Sequence, residues 1–286
     1  MIVDAHCHAG EGDGLTGPWD TAAPLERYVR RARRAGIQRT IIFPAFHSDY
    51  RVANREVARL VASRPDLFLG FAMVHAARDA GRIGALIREA VVEHGCCGIK
   101  VHRHDARITR EVCAAARAYR LPVLYDVMGE TAVVELLASE YPDVDFIIPH
   151  LGSFADDWRA HIMLVDQLTR YANVYTDTSG VRRFDYLVEA VRRAGAGKVL
   201  FGSDGPWLHP GLELAKVRLL GLPPAEEASV LGGTVLRLVG RVRRDAATPR
   251  PRSSLELAPL VGPAREWRPA DGAALDPWAP GPGQAD

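Results

Sequence analysis

The stretch Ile2-Val3-Asp4-Ala5-His6-Cys7-His8 reads as a short apolar strand that runs straight into two histidines, and this ending separates two possible folds. Outward from it, β-branched or aromatic runs alternate with stretches of helical spacing up to about residue 204. The strands are expected at 2–4, 40–43, 67–74, 98–101, 123–126, 145–149, 174–177 and 199–202. Helices are expected between them at 25–35, 54–63, 83–94, 110–119, 132–141, 158–171 and 186–194. Strands joined by helices are parallel and cross over right-handed, and eight such units close into a (β/α)8 TIM barrel of the α/β class. The alternative, an open doubly wound sheet, announces itself with a glycine-rich phosphate turn after its first strand. Here that place holds His6-Cys7-His8.

Residues 211–221 and 224–239 read as extra C-terminal helices that complete the barrel domain, 1–244. Residues 245–286 hold eight prolines and four glycines without a period, so they are expected to form a flexible Pro-rich tail. Arg241-Val242-Arg243-Arg244 reads as a solvated helix end favoured by the helix dipole.

The whole chain has 286 residues, 48% of them hydrophobic and 25% charged, the balance of a globular protein. Its 36 basic and 35 acidic residues leave a net charge of +1, which excludes the field that collects nucleic acid or an anionic membrane surface. A small-molecule substrate is the expected partner, and a homodimer is left open. The cysteines, Cys7, Cys96, Cys97 and Cys113, lack the spacing of a secreted disulfide scaffold. The start of the sequence has no basic region followed by an apolar core, and no apolar run reaches a membrane span, so the cytoplasm is the expected location.

In a barrel the functional groups gather at the C-terminal ends of the strands. Polar residues at those ends are His6 and His8, Lys100 and His102, Asp126, His150, Asp177 and Asp204. His6 and His8, two apart on an extended segment, leave the same face and converge. With carboxylates from other strands they would hold a divalent metal with positions open to water and substrate. The bland alternatives are two surface histidines, a buried and satisfied His150, and turn chemistry for Asp204 before Gly205-Pro206. Trp207 and His209 are expected at the mouth, and Glu11, Asp13 and His47 lie in loops near it.

Six segments taken together resemble the amidohydrolase superfamily, in the amidohydrolase-related branch that includes aminocarboxymuconate semialdehyde decarboxylase. They are Val3-Asp4-Ala5-His6-Cys7-His8, Gly98-Ile99-Lys100-Val101-His102, Leu121-Pro122-Val123-Leu124, Phe146-Ile147-Ile148-Pro149-His150-Leu151-Gly152, Asn173 to Gly180, and Val199 to Pro206. The resemblance implies that His6 and His8 are metal ligands. Asp204 would be a ligand and acid–base group, and His150 a ligand or the catalytic histidine beside the metal. Lys100 would be a cation near the substrate. Where the family has a metal-binding histidine after the fifth strand, this chain has Asp126. Asp126 is expected as a direct ligand at the depth of His150, with a hydrogen bond to a neighbouring ligand as the other reading.

The cofactor expected is one divalent ion, zinc first, with manganese or iron suited to a harder donor set. The leading expectation is a hydrolase that opens an amide or lactone of a small polar molecule through a metal-activated water, with Asp204 as base and His150 or Lys100 stabilising the oxyanion. A metal-dependent non-oxidative decarboxylase or other lyase would use the same residues, and a non-catalytic barrel is the third reading.

Overall fold

The computed structural model describes residues 1–14 and 22–245. The tail expected from residue 245 onward lies, apart from Asp245, outside the described residues. The strands are β1 (Val3–Glu11), β2 (Ala22–Ala23), β3 (Arg39–Pro44), β4 (Phe68–Gly70), β5 (Ala72–Met73), β6 (Ile99–His102), β7 (Val123–Asp126), β8 (Phe146–Ile148), β9 (Val174–Asp177) and β10 (Val199–Leu200). The α-helices are α1 (Leu25–Arg34), α2 (Tyr50–Ser63), α3 (Ile83–Arg88), α4 (Arg110–Tyr119), α5 (Ala132–Glu140), α6 (Trp158–Arg170), α7 (Phe184–Ala194), α8 (Pro210–Leu219), α9 (Pro224–Ala228) and α10 (Thr234–Val239).

These strands form a (β/α)8 barrel. Parallel pairing runs β1-β3-β4 and then β5-β6-β7-β8-β9-β10. The strand expected at 67–74 is a single barrel strand that changes partner at Phe71. Phe71 N donates to Ile42 O, and Ala72 N donates to Gly98 O. The barrel closes where Ala5 N donates to Phe201 O and His8 N to Gly205 O. Ala22–Ala23 adds a short antiparallel ribbon to the end of β1, which the periodicity does not predict.

Side chains alternate across the wall, as strand geometry requires. Val3, Ala5, Ile41, Phe43, Phe71, Leu124, Ile147, Tyr175 and Leu200 fill the interior. Ile42, Ile99, Val123, Phe146, Val174 and Val199 pack outward with the helical residues Val112, Leu164 and Leu187. Each large apolar side chain so buried contributes about 1.5–3 kcal/mol. Gly98 is needed because a Cβ there would lie 2.4 Å from the Phe71 ring inside the barrel.

One expectation about the C-terminal part needs correction. The helix expected over 224–239 is broken between α9 and α10 by a π-type turn, Ser229–Gly233. A Cβ on Gly232 would meet Met1 O at 2.7 Å, so the glycine lets this segment lie directly under β1. Residues 241–244 follow the end of α10 with their arginines exposed, as expected of a solvated helix end, and they also bond to the barrel. Arg241 pairs with Asp145 at 3.0 Å, Arg243 N donates to Tyr119 O, and Arg244 donates to Gly95 O.

Candidate active site

The register of β1 against β3 slips between Asp4 and Cys7, where three steps on β1 face two on β3. This β-bulge changes the parity of the strand. Val3 and Ala5 point into the interior below it, and His6 and His8 point into the mouth above it. Asp4, just before the bulge, faces outward and is fully buried. It accepts from His6 N, Ser203 N and Tyr28 Oη, and from the Ser203 hydroxyl. Burial raises its carboxyl to about 7. Asp4 therefore fastens the first strand to the turn that carries Asp204, whose φ of +52° is left-handed.

The mouth holds a cavity of about 350 Å³ lined by His6, His8, His102, Asp126, His150 and Asp204 at its polar end. Phe46, Met128, Phe154 and Trp207 supply apolar wall. His6 Nε2 and His8 Nε2 lie 3.4 and 3.7 Å from the same oxygen, Asp204 Oδ1. Both other ring nitrogens are committed, His6 Nδ1 to Asp177 Oδ2 at 2.8 Å and His8 Nδ1 to Pro44 O at 2.9 Å. Since a carboxylate and a carbonyl only accept, both Nδ1 atoms carry hydrogen and both Nε2 atoms present lone pairs. Burial first, then the Lys100 charge, keeps both rings below the ordinary histidine value, so they stay neutral.

Two imidazole lone pairs then face a carboxylate oxygen, and the buried His6 Nε2 has no hydrogen-bond partner among the described residues. A divalent cation is the group this arrangement fits. His6, His8 and Asp204 offer ligand atoms within 4.8 Å of one another.

Asp126 stands apart from that trio. Its Oδ2 is 3.1 Å from His102 Nε2 and 3.4 Å from His150 Nε2, and its Oδ1 accepts from Met128 N at 2.8 Å. Burial pushes this carboxyl up, but His102 and His150 outweigh burial and hold it well below the ordinary value. For His150 burial pushes down, and Asp126 overcomes it and raises the imidazole to about 9. His150 Nδ1 donates to Ser179 O at 2.8 Å, so its Nε2 is also turned to the cavity.

Lys100 is not brought to the cavity. It is fully buried, its Nζ 5.0 Å from the centre of the Phe43 ring, which packs against His6 and His8. The Nζ has no hydrogen-bond partner among the described residues, and burial lowers its pKa against the pull of Asp126, Asp204 and Asp177. Trp207 lines the mouth as expected, 4.5 Å from the His8 ring. His209 instead caps α8 by accepting from Gly211 N. Glu11, Asp13 and His47 do not line the cavity, although Asp13 and His47 approach within 3.6 Å of each other.

Sequence reading put Asp177 and His102 among the polar strand ends without giving either a definite role, and gave none to Ser179 or the α8 pair Glu213 and Lys216. Glu213 accepts from Gly180 N, and Lys216 donates to Thr178 O and Val181 O, so α8 braces the loop behind His6 and His150. The signal for Asp177 and His102 was their place at strand ends. Glu213 and Lys216 gave none.

A barrel with a histidine pair on its first strand and an aspartate in the turn after its last defines a class of metal-dependent enzymes. The chain belongs to the amidohydrolase family, whose profile matches residues 3–241. No curated protein matches its sequence. Among solved structures it is similar in fold to 5-carboxyvanillate decarboxylase from Sphingomonas paucimobilis, with TM-score 0.67 and 13% identity over 85% of this chain and 99% of that one. It is also similar to a dihydroxybenzoic acid decarboxylase from Polaromonas sp. JS666 with bound manganese and the inhibitor 2-nitroresorcinol (TM-score 0.65, 18% identity, 84% and 96% covered). A third is 4-oxalomesaconate hydratase from Rhodopseudomonas palustris (TM-score 0.65, 16% identity, 84% and 96% covered). No helix among the described residues is long and apolar enough to cross a membrane.

Proposed function

We propose that the chain is a metal-dependent lyase that removes carbon dioxide from a small carboxylic acid without oxidation. Hydrolysis of an amide or lactone, the leading expectation from sequence, becomes the second reading. One observation carries the choice: His150 Nε2 faces Asp126 Oδ2, which His102 also holds, so an imidazole backed by a carboxylate stands beside the His6 ring, 5.0 Å from it between centres, in the cavity that His8 and Asp204 also line. An imidazole so placed is a general acid. The similar structures named as decarboxylases and a hydratase support the same direction.

His6, His8 and Asp204 would hold one divalent ion, which would draw charge from a substrate oxygen. Two imidazoles, one carboxylate and an open position suit zinc, and manganese is the ion bound in the Polaromonas relative. His150 passes the proton on Nε2 to the carbon that bears the carboxylate. The carbon–carbon bond breaks, its electron pair stays on that carbon, and carbon dioxide leaves. Asp126 compensates the charge on His150 before transfer, and His102 holds Asp126 in place. Phe46, Phe154 and Trp207 keep water from competing for the proton. Four unpaired, buried cysteines support a reducing, cytoplasmic setting.

The deciding experiment offers the metal-loaded protein a panel of lactones, amides and unsaturated or aromatic carboxylic acids. Release of carbon dioxide from an acid is expected. Hydrolysis of a lactone or amide with no carbon dioxide from any acid would reverse the two readings.

A further inference from the structure

We infer that Asp177, outside the ligand trio, is a positioning residue whose single carboxylate fixes which nitrogen of His6 faces the metal position and also holds the neighbouring His150. The inference rests on the site proposed above, but its test needs no substrate. Asp177 ends β9 and is fully buried. Its Oδ2 accepts from His6 Nδ1 at 2.8 Å, so the His6 hydrogen is kept on Nδ1 and the Nε2 lone pair is left for a ligand bond.

Its Oδ1 accepts three hydrogens, from Ser179 Oγ at 2.5 Å, Ser179 N at 3.0 Å and His150 N at 3.1 Å. The last of these matters for the backbone. His150 and Leu151 are consecutive non-glycine residues in the left-handed region, with φ of +57° and +49°. Each is unfavourable relative to the right-handed region, where Cβ does not crowd the following carbonyl. Asp177 Oδ1 on the His150 amide and Ser179 O on its Nδ1 offset that cost and aim the ring. On the far side of the turn, buried His161 Nδ1 donates to Leu151 O at 2.9 Å. One side chain on β9 thus ties the imidazole of β1 to the turn after β8.

Asp177→Asn makes the claim sharp. Three donors converge on Oδ1, so the asparagine oxygen must stay there and its amide NH₂ must face His6 Nδ1. That nitrogen then has to accept, and the His6 hydrogen moves to Nε2. From there it points at Asp204 Oδ1, 3.4 Å away, and occupies the lone pair that a metal requires.

The experiment is ¹⁵N spectroscopy of the histidine rings in the metal-free full chain, paired with zinc titration. In the wild type, His6 and His8 should both carry hydrogen on Nδ1. In Asp177→Asn, His6 should change to Nε2–H while His8, set by the backbone carbonyl of Pro44, should not. Zinc affinity should fall about 100-fold, the upper end for groups that act through a ligand. Hydrogen exchange at the His150 amide should also quicken, because a neutral oxygen replaces a charged acceptor. An unchanged His6 tautomer, or zinc affinity within twofold of wild type, would overturn the inference. Should the variant fail to fold, the wild-type spectrum alone decides, since His6 with hydrogen on Nε2 there refutes it.

Discussion

At the scale of single residues, Asp126 and His8 divide the site into two functions. On the proposed reading His8 presents a lone pair to the metal position, while its buried ring packs on Phe43 and Trp207. His8→Ala is therefore expected to lose the bound ion and, with it, some thermal stability. Asp126 already has partners for both oxygens in His102, His150 and Met128. Asp126→Ala is expected to keep about one ion per chain and to lower kcat about 10 to 100-fold. Metal analysis of the two purified variants side by side checks this, and equal loss of metal would make Asp126 a ligand. His6, His8, His150 and Asp204 were legible in the sequence because each sits at a strand end in a patterned segment. What Asp126 and Asp177 touch was not legible. Those contacts join strands 24 and 171 residues apart, His150 to Asp126 and His6 to Asp177, and depend on which oxygen already has a donor.

At the scale of elements, the eight barrel strands were legible because a buried parallel strand is a bounded β-branched run. The β1 bulge was not, since Asp4-Ala5-His6-Cys7 carries no glycine or proline to mark it. Nor was the brace from α8, whose two charged residues look like one more exposed helical pair. Glu213 and Lys216 are i, i+3 partners 2.6 Å apart, both mostly buried, and between them they bond three backbone groups of the 178–181 loop. Removing the cation leaves Glu213 uncompensated, and burial already raises its carboxyl. Lys216→Met should therefore destabilise by about 3 kcal/mol, while Glu213→Gln, which keeps an acceptor for Gly180 N, should cost less. Urea unfolding with an unchanged m-value is the measurement. A Lys216→Met midpoint equal to that of the wild type would mean that the loop holds itself.

For the whole molecule, the question is where the folded barrel stops along the chain. The family profile ends at residue 241, and the chain from that residue to Arg244 still bonds to the barrel. Arg241 reaches Asp145, Arg243 N reaches Tyr119 O, and Arg244 reaches Gly95 O. These contacts join the segment after α10 to α4, to the start of β8 and to the turn before β6. The residues beyond Asp245, with proline at eight of 41 positions, lie outside the described residues, and truncation tests whether the barrel needs them. A chain ended after Asp245 should keep the wild-type Tm, whereas one ended after Gly240 should lose about 1–3 kcal/mol, because it drops an ion pair and two hydrogen bonds to backbone carbonyls. Calorimetry of the two shortened proteins separates the possibilities. If the first cut already lowers Tm by several degrees, residues 246–286 pack on the barrel or on a second copy of it, and concentration dependence of that Tm tells the two apart.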